Sequence, residues 1–216
     1  MIKPNNKSEA ASPKRIYISQ SDVPKHSIEE VVGLAKALYE NFNGESAPHE
    51  IANAMSISPT SSAWQSITGA AVAYGLTDGA YNAARIKLTD LGWRIVAPQD
   101  EGDDLQAIRE ATLKPRIFKQ FFAKYDRGKF PQEPIGVNVL VSMGAPKDRA
   151  KSVYEMAKAN GLQARFISNT NTGLYVAVQS VAAATLKVEG EGQEEIQREG
   201  EPGEPTQPIP RAPKIH

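Results

Sequence analysis

The stretch SAPHEIANAMSISPTSSAWQSITGAAVAYGLTDGAYNAARIKLTDLGWRIVAP, residues 46–98, decides how the chain is read. Ser46 is placed to cap a first helix, with Pro48 in its opening turn and Ile51, Ala52 and Met55 along one face. Ser58-Pro59 marks a second helix start, and Ile67, Ala70, Ala71 and Tyr74 give that helix an apolar stripe. Gly75 closes it in the left-handed conformation that glycine adopts cheaply. Leu76–Asp78 and Arg85–Thr89 read as hairpin arms about a tip at Gly79-Ala80-Tyr81-Asn82. Thr89 then caps a last helical run that ends at Pro98.

Upstream, Ser27-Ile28-Glu29-Glu30 is a capping box, and Ile28, Val31, Val32, Ala35, Leu38, Tyr39 and Phe42 recur at helical spacing until Asn43-Gly44. This helix packs behind the pair that follows. Residues 1–26 read as a polar, flexible arm; Lys14–Ser19 alternates weakly, as a short edge strand or an arm would, and a loosely docked lead-in is a simpler account of it than a basic arm in a DNA groove.

Downstream, residues 99–103 are an acidic linker whose carboxylates suit a solvated segment, with Asp103 or Asp104 capping the next helix, better than a metal site. A helix from about Asp104 to Thr112 leads to a second one in which Phe118, Phe121, Phe122 and Tyr125 fall at core spacing. Aromatics beside lysines also fit a base-stacking platform, but the spacing favours the core. A short helix over Ile135–Ser142 and a turn at Met143-Gly144-Ala145 precede a helix from Pro146 to Asn160, stopped by Gly161. Strands at Gln163–Ser168 and Leu174–Gln179 flank a tip at Asn169–Gly173. Sliding the chain by 86 residues lays Ile51 on Val137, Ser56 on Ser142, Ile67 on Val153, Ala71 on Ala157, Gly75 on Gly161 and Leu76 on Leu162. The plan is therefore used twice.

The charge balance narrows the function. Lys+Arg 25 against Asp+Glu 25 leaves no overall positive field to hold nucleic acid. Residues 188–216 hold 7 acidic and 3 basic residues among glycines and prolines, which predicts a disordered acidic, Pro-rich tail and leaves residues 1–187 at +4. The tail reads as a solubilising extension rather than an acidic mimic of DNA. Cysteine is absent, which excludes disulfides, thiolate zinc sites and cysteine nucleophiles. No apolar run is long enough to cross a bilayer and no signal-peptide core is present, so a soluble, cytoplasmic protein is expected.

The string Leu88-Thr89-Asp90-Leu91-Gly92 resembles the Leu-Thr-x-x-Gly closing motif of many bacterial winged-helix regulators. Residues 27–98 resemble a winged helix-turn-helix domain, and residues 104–181 resemble a more divergent second copy. RIYISQSDVP (15–24), ITGAAVAYGLTDG (67–79) and LTDLGWRIVAP (88–98) are similar to a family of uncharacterised bacterial and archaeal proteins. The resemblance implies a mainly α fold with small β-hairpins (α+β): an arm (1–26), domain 1 (27–98), the linker (99–103), domain 2 (104–187) and the tail (188–216). It implies no settled activity.

In such domains the start of the second helix of the pair enters the major groove and the hairpin touches the backbone. The first copy offers Thr60, Ser61, Ser62, Gln65 and Ser66, with Gln65 suited to adenine and the hydroxyls to phosphate. That helix carries no Arg or Lys, and Arg85 and Lys87 on the hairpin are the only nearby cations. The second copy offers Lys147, Arg149 and Lys151, offset by Asp148; the same residues also suit an ordinary solvated helix. His26, His49 and His216 sit in a loop, a first helical turn and the tail, and no phosphate loop, zinc motif or nucleophile elbow occurs. No enzyme, cofactor or metal site is expected. The sequence therefore points to a duplex-DNA-binding protein, a transcriptional regulator. The alternative is a winged-helix scaffold for self-association or a protein partner.

Overall fold

Ser27 opens the chain's first helix, α1 (Ile28–Phe42), as its spacing requires: its hydroxyl accepts from the Glu30 amide, and the Glu30 carboxylate accepts from the Ser27 amide at 2.8 Å. The structure, a computed structural model, describes Ser19 and residues 22–178. The expected tail and most of the arm lie outside the described residues. Of the arm, residues 22–26 are part of the fold, with Val23 buried, Asp22 paired to Arg116 and the Pro24 carbonyl accepting from Arg149.

The first half continues through β1 (Glu45–Ser46), α2 (Pro48–Ala54), α3 (Ser62–Ala73), β2 (Thr77–Asp78), β3 (Ile86–Leu88) and α4 (Asp90–Val96). Two starts differ from expectation. Ser46 is a strand residue, and Ala47 is the N-cap of α2; the Glu50 carboxylate reaches back to the Ala47 amide and to the Ser46 hydroxyl. α3 begins at Ser62 rather than at Pro59, because the Ser61 hydroxyl accepts from the Trp64 amide at 3.1 Å and no side chain at 58–60 does so. Seven residues, a wide connection, therefore separate α2 from α3.

The second half consists of α5 (Asp103–Thr112), α6 (Arg116–Tyr125), β4 (Gly128–Lys129), α7 (Glu133–Ser142), α8 (Ala150–Gln163), β5 (Ile167–Thr170) and β6 (Gly173–Val176). Gly102, not Asp103 or Asp104, is the N-cap of α5; Asp103 instead pairs with Arg94 at 2.7 Å, and Glu110 takes another nitrogen of the same guanidinium. That pairing closes α5 onto α4.

The described residues thus form an α+β fold with eight helices and two antiparallel three-stranded sheets, ordered β1-β3-β2 and β4-β6-β5. Each expected hairpin gains a third, two-residue strand that its sequence does not announce. Glu45 pairs with Lys87 and Ser46 with Ile86; Gly128 pairs with Val176 and Lys129 with Tyr175. The order helix–strand–helix–helix–strand–strand occurs once from α1 to β3 and again from α6 to β6.

The repeat is best seen in the backbone. Left-handed residues follow each helix of the first trio at Asn43, Ser56 and Gly75, and each helix of the second trio at Arg127, Gly144 and Arg165. The hydrogen bonds agree: Gly75 and Leu76 close α3 onto Val72 and Ala71, as Arg165 and Phe166 close α8 onto Leu162 and Gly161. Gly75 therefore corresponds to Arg165 and not to Gly161. The 86-residue slide is short by one helical turn there, which an apolar stripe tolerates because a turn returns it to the same face. α8 runs straight through Gly161, where a Cβ would lie 2.5 Å from Ile167 Cδ1 and 2.9 Å from Phe122 Cε1. Arg165→Gly is expected to stabilise the protein by about 0.5–1 kcal/mol, since a residue with a Cβ is held at φ 53 there. Thermal unfolding should rise by about 2 °C; an unchanged or lower midpoint counts against the reading.

One apolar core runs through both halves. Phe118, Phe121 and Phe122 are fully buried, as their spacing predicts, and Tyr125 is half-buried. At the junction Asn160 is fully buried on α8: its amide donates to Tyr74 Oη at 2.9 Å, and its carbonyl accepts from the Ile28 amide at 2.9 Å. Tyr74 Oη donates to the His26 carbonyl, and its ring stacks on Phe118 with centroids 6.3 Å apart. Burial pushes the Tyr74 phenol well above its ordinary range.

Candidate nucleic-acid interface

The closing motif of the first half is a packing device. Thr89 Oγ1 accepts from the Gly92 amide at 3.1 Å, capping α4, and also donates to the Gly75 carbonyl at 2.6 Å. It thereby fixes the end of α3 against the end of β3, so the start of α3 and the 79–85 loop are held in one geometry. The loop is tied to the helix directly, with the Tyr81 amide donating to Thr68 Oγ1 at 3.2 Å.

At the start of α3, Thr60, Ser62 and Gln65 are exposed. Ser61 is not free for a phosphate, because its hydroxyl caps the helix and donates to the Ser58 carbonyl at 2.7 Å. Ser66 is likewise engaged with His26 Nε2 at 2.7 Å. On the hairpin, Arg85 and Lys87 both pair with Glu45 of β1, the strand that sequence reading did not find. The hydrogen bond from Lys87, with Arg85 beside it, holds the Glu45 carboxyl below its ordinary range. The first-half face is thus polar and nearly neutral.

In the second half, α8 starts at Ala150, so Lys147 and Arg149 precede it and only Lys151 of the three lies on it. Lys147 is exposed. Arg149 donates to the Pro24 carbonyl at 3.2 Å and so helps to hold the lead-in. Lys151 pairs with Glu133 at 2.8 Å, which raises its pKa. The structure keeps these residues at one end of α8 but commits two of them to other partners.

The sheets differ in the same sense. In the first, Glu45, Lys87 and Asp78 lie side by side across the three strands. The corresponding row in the second is Lys129, Tyr175 and Ser168. Residues directly opposite across strands share a face. The Lys129 ammonium sits 5.7 Å from the Tyr175 ring centroid, and Thr172 Oγ1 reaches Tyr175 Oη at 3.5 Å; Thr172 first and then Lys129 lower the phenol's pKa.

No protein-family model, no curated protein and no solved structure matches this chain.

Among the described residues no group of three His, Asp or Glu side chains is placed to hold a metal ion, and no helix is long and apolar enough to cross a membrane. His49 is exposed in the first turn of α2, while His216 lies outside the described residues. Lys119 and Lys124, the lysines beside the α6 aromatics that the sequence assigns to the core, are exposed, and so are Arg127 and Lys129, which the sequence reading did not single out. A signal for them existed. Residues 27–98 hold 4 basic and 7 acidic residues, whereas residues 104–178 hold 12 basic and 6 acidic ones. Summing over the whole chain hides this opposition.

Proposed function

We propose that the chain is a non-enzymatic duplex-DNA-binding protein, a cytoplasmic transcriptional regulator, built from two winged helix-turn-helix halves. The observation that carries the reading is the repeated element order, with sheet orders β1-β3-β2 and β4-β6-β5. Each half sets the start of its third helix, α3 or α8, before an antiparallel hairpin, the arrangement with which winged helices meet a groove and its flanking phosphates. Ser62 and Gln65 supply the polar edge in the first half, and Lys147 supplies the exposed charge in the second. The resemblance of Leu88–Gly92 to the winged-helix closing motif agrees with this, and Thr89 and Gly92 perform the capping that the motif implies.

Fluorescence anisotropy with a labelled mixed-sequence duplex tests the reading. Binding is expected at about 50 mM salt and should weaken on the order of 1,000-fold by about 200 mM. Absence of duplex binding at the lower salt overturns it.

One observation favours the scaffold reading. α3 carries no charged side chain, and Val72 on it and Tyr81 beside it are 45% and 43% exposed. A concentration-dependent dimer that Val72→Glu dissolves, seen by light scattering in the absence of DNA binding, would establish that reading instead.

A further inference from the structure

We infer that the second half holds the DNA backbone on a strip that lies outside both recognition helices, formed by Lys119 and Lys124 of α6, Arg127 after it and Lys129 of β4. The inference rests on the duplex-DNA reading and names where that duplex is gripped.

The strip is built by the helix that also builds the core. α6 buries Ile117, Phe118, Phe121 and Phe122, and this leaves Lys119, Gln120, Ala123 and Lys124 exposed. Three packed aromatic rings prevent the helix from rolling, so its cations keep their place on the outer side. The chain then passes Arg127, in the left-handed turn at φ 59, and enters β4 with Lys129. All four cations are exposed.

They also lack counter-charges. Among the described residues Arg85, Lys87, Arg94, Lys114, Arg116 and Lys151 each stand in an ion pair with a carboxylate, and none of these four does. Asp126, the one acid inside the segment, is drawn into the fold, its Oδ1 accepting from the Val178 amide at 2.8 Å. In the first half the position of Lys129 is taken by Glu45 and that of Ser168 by Asp78, and Glu45 offsets Lys87 and Arg85, so the equivalent sheet row is nearly neutral.

The four ammonium and guanidinium groups are spread over a helix, a turn and a strand, with Lys119 and Lys124 about 140° apart around α6, and do not converge as a small-anion site would. They suit an extended polyanion with regularly spaced phosphates, whose bound counter-ions are released on contact. The Tyr175 phenol stands beside Lys129, with the Ser168 hydroxyl next in the row, as further donors to phosphate oxygens.

The test compares salt slopes. The variant Lys119→Gln, Lys124→Gln, Arg127→Asn, Lys129→Gln is measured beside Lys147→Gln, Lys151→Gln and wild type, with asparagine chosen because it tolerates the left-handed turn. The fourfold variant should lose about 3–4 units from the slope of log K against log salt, and on the order of 100-fold in affinity at low salt. Lys119→Arg, Lys124→Arg, Lys129→Arg, which keeps the charge, should retain the wild-type slope. If the fourfold variant fails to fold, the pairs Lys119→Gln, Lys124→Gln and Arg127→Asn, Lys129→Gln each should lose about half as much slope. A wild-type slope in the neutralised variants, with duplex binding intact, overturns the strip and leaves the DNA reading standing. Absence of wild-type duplex binding overturns both.

Discussion

Asn160→Leu is expected to lower the free energy of unfolding by about 2–4 kcal/mol, although leucine is close to asparagine in volume and suits a helix. The side chain is fully buried and serves two groups of the first half, the Ile28 amide and Tyr74 Oη. The Ile28 amide is one of the donors that a helix start leaves without an internal partner, and it is met here from the other half. Leucine would leave it buried and unmet. Thermal unfolding should fall by about 10 °C, followed by tryptophan fluorescence. Trp64 is fully buried in the first half, so a loss that it reports after a change on α8 shows that the two halves unfold together. Tyr74→Phe removes the other side of the same bond, so the double variant should lose less than the sum of the single losses. A loss below about 1 kcal/mol for Asn160→Leu, or strict additivity, would refute the account.

Gly92→Ala is expected to destabilise by about 2–3 kcal/mol, against the gain in helix propensity that alanine brings. A Cβ there would press on the Leu76 carbonyl oxygen and lie 3.1 Å from Leu88 Cδ2. The carbonyl has no room to retreat, because it accepts from the Thr89 amide at 3.0 Å and from the Thr89 hydroxyl at 3.2 Å. The glycine of the closing motif is thus required by the approach of α4 to the end of α3. Urea denaturation measures the loss. Below its unfolding transition the variant should keep wild-type duplex affinity, since the residue is buried. A neutral or stabilising effect would show that the approach can relax.

The elements that the sequence shows clearly are those whose signal is local. The capping box at Ser27 and Glu30, the aromatic spacing of α6 and the threonine before α4 are each written within a few neighbouring residues, and each is found where expected. β1 and β4 are two residues long and leave no alternation to read; they exist because a left-handed turn at Asn43 or Arg127 delivers the chain to a hairpin formed far downstream. Gly161 misled for a related reason. A glycine after an apolar stripe looks like a helix end, but this one is small to make room for Phe122 and Ile167, and Arg165 takes the left-handed place. At the candidate interface the residue types were legible and their engagements were not. Whether Arg85 is free depends on Glu45, and whether Arg149 is free depends on Pro24, distant partners that no spacing rule connects.

The paired turns at Asn43 and Arg127, Ser56 and Gly144, and Gly75 and Arg165 show how little a shared backbone path constrains the side chain. Only one residue in each of two pairs is glycine, and none of the three pairs matches in identity. The three turns keep their order in the two halves, one after each helix of a trio, with intervals of 13 and 19 residues in the first and 17 and 21 in the second. The backbone places that must turn left-handed are therefore held in common by the two halves, while the residue that fills each place is set by its own surroundings.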